Sequence, residues 1–119
     1  MSRKRYQLRA EMEERWPTLY QFLAAYCHQD WPYFYGSFEE AIEAAISDYP
    51  LDARQRVLKE WRDCNRTAMT GDDIRSTLQD GFSVNVNFTT PIDGRNFWNT
   101  VYDKLIVSVR DEVGERWKP

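Results

Sequence analysis

One histidine, two cysteines and five glycines in 119 residues are few, and each shortage closes off a chemistry. His28 stands alone, and without a second histidine or a cysteine-histidine set there are no ligands for a metal centre. A structural hydrogen-bonding role is the expectation for it. Cys27 and Cys64 have no metal-ligand spacing, and in a reducing compartment they serve as small buried hydrophobes, with no disulfide between them. The glycines build no phosphate-cradling loop, and no nucleophile motif accompanies His28 and Asp30. No enzyme activity, cofactor or small-molecule substrate is therefore expected. No run approaches the roughly 20 apolar residues that a membrane helix needs. The basic start Ser2-Arg3-Lys4-Arg5 leads to Glu11, Glu13 and Glu14 in place of a hydrophobic signal core. A cytoplasmic protein without a membrane partner is the expectation.

Positive charge is missing from one long stretch. Between Trp16 and Ala53 there is no lysine or arginine, while Asp30, Glu39, Glu40, Glu43, Asp48 and Asp52 supply six negative charges. The formal net charge is −3, so the rest of the chain sums to −3 − (−6) = +3, and the acidity is concentrated in one region. The overall balance gives no general attraction to nucleic acid or to an anionic membrane.

What is present suits one folded domain spanning residues 1–119: 42% of residues are hydrophobic and 29% charged, and an aromatic share of 15% can fill a core and still supply contact anchors. The first 15 residues, with only Tyr6, Leu8 and Met12 as an apolar stripe, read as a frayed or marginal helix. Trp16, Leu19, Tyr20, Leu23, Tyr26 and Cys27 recur at helical spacing and Pro17 suits a first turn, predicting a helix from about Pro17 to His28. Asp30 to Gly36 is a loop with four aromatic rings. Ser37 and Glu40 form a capping box for a second helix through Tyr49, stopped by Pro50. Asp52 with Gln55 repeats that logic for a third helix striped by Val57, Leu58, Trp61, Cys64 and Ala68. Thr70 with Asp73 opens a short fourth helix that Gly81 ends. Phe82 to Phe88 alternates apolar and polar residues, the period of a half-buried strand; it is an extended piece packed on helices, half of a hairpin, or an edge. After a turn at Thr89, Pro91, Asp93 and Gly94, a long helix is striped by Phe97, Trp98, Val101, Tyr102, Leu105, Ile106, Val109 and Val113. The expected fold is mainly α, a small single-domain helical bundle with one extended or β segment near residues 82–88.

The run from Leu19 to Trp31, with His28-Gln29-Asp30-Trp31 at its core, followed by Phe38-Glu39-Glu40-Ala41-Ile42 and Tyr49-Pro50, resembles the hallmark of the immunity proteins of contact-dependent growth inhibition (CDI) systems. Gly94, Trp98, Val101 and Leu105 loosely resemble that family's closing pattern. The sequence departs from it at Cys27, where an aromatic is more common, and across Phe82 to Phe88. The resemblance implies a non-catalytic cytoplasmic protein that neutralises a cognate toxin C-terminal domain, often a nuclease, delivered by a neighbouring cell.

A concentrated acidic surface complements the cationic groove with which a nuclease holds phosphate. Glu39 and Glu40 have local work in a helix's first turn and Asp52 as an N-cap. Asp30, Glu43 and Asp48 are left as candidate partner contacts. Of the loop aromatics, Tyr33 and Tyr35 are candidate interface anchors and Phe34 a core residue. The alternative reading is a nucleic-acid-binding helix over residues 54–66, using Arg54, Arg56, Lys59, Arg62 and Arg66, of which Lys59, Arg62 and Arg66 share a face.

Overall fold

Prolines and capping side chains decide where the helices of this chain begin, and the computed structural model describes the result for residues 3–27 and 36–119. The helices are α1 (Arg3–Arg15), α2 (Pro17–Tyr26), α3 (Phe38–Asp48), α4 (Leu51–Asn65) and α5 (Pro91–Val113), with a 3₁₀ turn at Ala68–Thr70 and a π turn at Thr77–Gly81. The fold is mainly α, as expected, and no strand occurs among the described residues. The expected end of α2 at His28 and the aromatic loop fall outside the described residues or at their edge, since α2 stops at Tyr26.

Local signals explain some helix starts, and long-range contacts explain others. Ser37 Oγ accepts from Glu40 N at 3.2 Å, but Glu40 returns its carboxylate to Gly36 N at 2.8 Å, one residue upstream of the expected capping box. Thr90 and Asp93 make the full reciprocal box at the head of α5, with Pro91 in the first turn. The expected turn at Pro91, Asp93 and Gly94 is thus already helix. Pro50 occupies the N-cap of α4, so Asp52 sits inside its first turn and does not cap it. Trp16 offers α2 no side-chain cap; instead Glu60 of α4 accepts from Thr18 N and Leu19 N, both at 2.9 Å, satisfying two orphan donors from across the core. Thr70 opens no helix. Its hydroxyl bonds Asn65 O at 3.0 Å, and Arg95 of α5 fixes the same turn through Thr70 O and Gly71 O.

The core forms where these helices converge. α5 packs on α3 and α4, α2 packs on α1, α3 and α4, and α1 lies against the π turn. Met12 is fully buried and Leu8 packs beside it, while Tyr6 of the same stripe stays exposed. Trp61 and Trp98 stack at 4.9 Å, and each indole N–H finds an acceptor: Trp61 Nε1 donates to Trp98 O at 3.0 Å and Trp98 Nε1 to Asn65 Oδ1 at 2.9 Å. Gly94 lets α5 meet the segment below it, because a Cβ there would stand 3.0 Å from Arg75 Cγ and 3.2 Å from Ile74 Cγ2. Cys27 and Cys64 are free and buried, matching their reading as hydrophobes. Of the α4 stripe, Val57, Leu58, Trp61 and Cys64 are buried, but Ala68 is exposed beyond the helix end.

The 82–88 segment resolves into the first of its three options. Phe82, Val84 and Phe88 are buried, so the alternation reports its inward face correctly, yet among the described residues it pairs with no strand. Its polar groups are met singly: Asn85 N donates to Cys27 O at 2.6 Å and Val84 N to Leu78 O at 3.0 Å, and Val86 O accepts from Gln79 Nε2 at 2.8 Å.

Candidate functional site

The acidic stretch becomes a surface because α3 buries Ala41, Ile42 and Ala45 and so turns its charged positions outward. Glu43 faces α5, where its Oε1 accepts from Lys104 Nζ at 2.8 Å while its side chain stays 61% exposed. The sequence places no cation within helical reach of Glu43, and the fold supplies one from another helix. Asp48 lies in the last turn of α3, where the helix dipole disfavours an anion. There Tyr26 O–H of α2 donates to its Oδ2 at 2.8 Å, and the Tyr26 ring joins an aromatic cluster with Phe22 and Tyr49. Glu43 and Asp48 are therefore both exposed, but they address opposite neighbours, one toward α5 and one toward α2. Asp30, Tyr33, Tyr35 and His28 lie outside the described residues, as does Phe34.

Between α3 and α5 runs an open groove of ≈ 580 Å³ lined by Glu43, Ile46, Ser47, Asp103, Lys104, Val107, Ser108 and Asp111. Three of these are carboxylates and one is a cation already paired with Glu43. Asp103, Val107 and Asp111 follow one another at four-residue spacing, which places them on one ridge of α5. Sequence reasoning passed over all three, because α5 was read for its buried stripe. The available signal was the complementary row, two acids flanking an aliphatic residue that the stripe does not use.

From the basic helix of the alternative reading the fold takes Arg54 and leaves Arg56, Lys59 and Arg66 exposed. Arg54 is turned inward, 7% exposed, with Nη2 on Glu112 Oε2 at 2.7 Å, Nη1 on Ser108 Oγ at 3.1 Å and Nε on Tyr49 O at 3.0 Å. Arg62 pairs with the adjacent Asp63 at 3.1 Å. Burial pushes the Cys27 and Cys64 thiols up to about 12, which keeps them neutral and unreactive near neutrality. Among the described residues no group of histidine, cysteine and carboxylate side chains could hold a metal ion, and no helix is long and apolar enough to cross a membrane.

The sequence model of the CdiI immunity proteins matches residues 15–105, well over half of the chain, and the protein belongs to that family of CDI immunity proteins. Members of such a family are generally non-enzymatic. Searches of the curated proteins and of the solved structures found no match.

Proposed function

We propose that this protein acts in the cytoplasm by binding the C-terminal toxin domain of its own CDI system and blocking it, and that the toxin is a nuclease. The observation that carries this reading is family membership over residues 15–105. The charge distribution supports the nuclease part: six acids and no lysine or arginine between Trp16 and Ala53 suit a cationic surface built to hold phosphate. Glu43 and Asp48 are exposed on α3, and Asp30, Tyr33 and Tyr35 adjoin them in sequence as proposed contacts. Capture by rim charges and aromatic anchors needs no chemistry from the inhibitor.

Co-expression with the toxin domain encoded immediately upstream tests the reading. Growth should be rescued and the two chains should co-purify, whereas toxins from unrelated loci should go on killing. Killing by the cognate domain despite abundant folded protein would refute it.

A further inference from the structure

A single exposed aliphatic side chain on a helix is ordinary surface. Val107 differs from that case in where it lies. It is 57% exposed on α5, whose neighbouring Leu105, Ile106 and Val109 are all buried, and it lines the groove together with Ile46 of α3. Asp103 and Asp111 stand one helical turn to either side of it along α5, and Glu43 occupies the opposite wall. Lys104 is the one cation of the lining, and its ammonium is held by Glu43 at 2.8 Å. The lining thus carries three carboxylates against one ammonium, a net −2, beside the aliphatic side chains of Val107 and Ile46.

We infer that the α3–α5 groove is a docking seat for a cationic segment of the toxin domain, one that places an aliphatic or aromatic side chain on Val107 and Ile46 between lysines or arginines that meet Asp103 and Asp111. The inference rests on the proposed toxin binding and adds to it a second helix, α5, and an apolar contact. Charge complementarity selects the occupant. An acidic or neutral segment would leave the lining's net −2 uncompensated, and a second copy of this chain would bring the same negative groove against itself. The two parts of the seat have separate kinetic signatures: the ridge acids act during the encounter and affect association, while the seated side chain resists escape and affects dissociation.

Surface-immobilised toxin C-terminal domain, encoded upstream of this chain, is the probe, with the full-length protein in solution at low and high salt. Val107→Arg, which puts a like charge where the cationic segment would sit, should speed dissociation about tenfold or more. The double variant Asp103→Lys with Asp111→Lys should slow association several-fold at low salt, with the gap closing as salt rises. Lys59→Ala, on the exposed side of α4, should bind as wild type. Thermal unfolding of each variant reports its fold, and because the double variant changes only exposed side chains, it keeps the test decisive if Val107→Arg is unstable. If wild type captures the toxin and both groove variants capture it at the same rates, the groove is not the seat although the toxin-binding reading stands. If wild type itself fails to bind, both fall. A concentration-dependent dimer lost in Val107→Arg, with toxin capture unchanged, would assign the groove to self-association and overturn the inference.

Discussion

α4 carries Arg54, Arg56, Lys59 and Arg62, with Arg66 at its C-cap, and α3 carries Glu39, Glu40, Glu43 and Asp48; as sequence they are two amphipathic helices of opposite charge. Folding treats those charges very differently. Arg54 disappears into the molecule, its guanidinium joining the end of α3, the start of α4 and the last turns of α5 through three acceptors. Glu60, on the same helix, is consumed as the cap of α2. On α3, Glu43 and Asp48 each hold one partner and keep their carboxylates at the surface. The comparison teaches that a charge is available to a partner only after the fold has taken what it needs. From the positive helix the fold takes Arg54 as a structural strut, and on the negative one it leaves Glu43 and Asp48 at the surface.

The largest effect should come from breaking the strut. Arg54→Ala removes a nearly buried guanidinium and leaves Tyr49 O and Ser108 Oγ short of a donor, which should lower stability by about 2 kcal/mol. Glu112 is half exposed and can return to water, so Glu112→Gln should cost less than about 1 kcal/mol. Urea denaturation of the two variants beside wild type reads both. If Arg54→Ala unfolded at the wild-type midpoint, Arg54 would be an ordinary surface cation and the contrast between the helices would collapse.

A smaller effect is expected on the acidic helix. Glu43→Gln and Asp48→Asn keep side-chain volume and one acceptor, and each should change stability by no more than about 0.5 kcal/mol. In the proposed function the same changes should slow toxin association at low salt. A loss of stability as large as that of Arg54→Ala would show that Glu43 or Asp48 is a strut as well, and would remove it from the proposed toxin contacts.

The helices themselves were legible because their buried residues recur at the helical period: Ala41, Ile42 and Ala45 on α3, or Val57, Leu58, Trp61 and Cys64 on α4. Their ends were less so. Asp52 and Thr70 are good capping residues, but Pro50 already sits at the N-cap of α4, and the Thr70 hydroxyl is occupied by Asn65 O. The cap that α2 does use comes from Glu60, some forty residues away, where no local pattern reaches. The alternation at Phe82 to Phe88 correctly told which side chains turn inward, yet it could not tell a strand from an extended segment held by single bonds, because a ladder partner is a fact of tertiary structure. Glu43 and Asp48 were found as exposed acids from the sequence, whereas the groove beside them was not. Each residue advances a helix by about 100°, so Val107, directly after the buried Ile106, lies on a different face, and an aliphatic residue in a striped helix is easily read as core.

The smallest effect concerns a third charged pair that sharpens the distinction between ordering a side chain and stabilising a fold. Asp73 and Arg75 are close in sequence, and the carboxylate meets Arg75 Nη2 at 2.8 Å and Arg75 Nε at 3.0 Å, while its Oδ1 also accepts from Arg75 N at 3.1 Å. The hydrogen bonds from the Arg75 side chain and then from its backbone hold the Asp73 carboxyl below its ordinary 3.8. A carboxyl whose folded value is depressed contributes stability that is present above its unfolded value and is lost as pH falls through the folded one. Any acid-side loss from this pair therefore begins as pH drops below about 3.8 and not near neutrality. Because the Arg75 and Asp73 side chains remain 31% and 46% exposed, water competes for the same bonds and the gain for the fold is small. An NMR titration of the side-chain carboxyls should find Asp73 protonating at lower pH than a solvated aspartate, and Arg75→Lys, which cannot present the same fork of donors, should move it back toward the ordinary value. Unfolding midpoints of Arg75→Lys and wild type at pH 7 should nearly coincide. If the two midpoints differed as widely as those of Arg54→Ala and wild type, exposure would not be what separates the strut from the surface, and the contrast between α4 and α3 would have to rest on the number of hydrogen bonds alone.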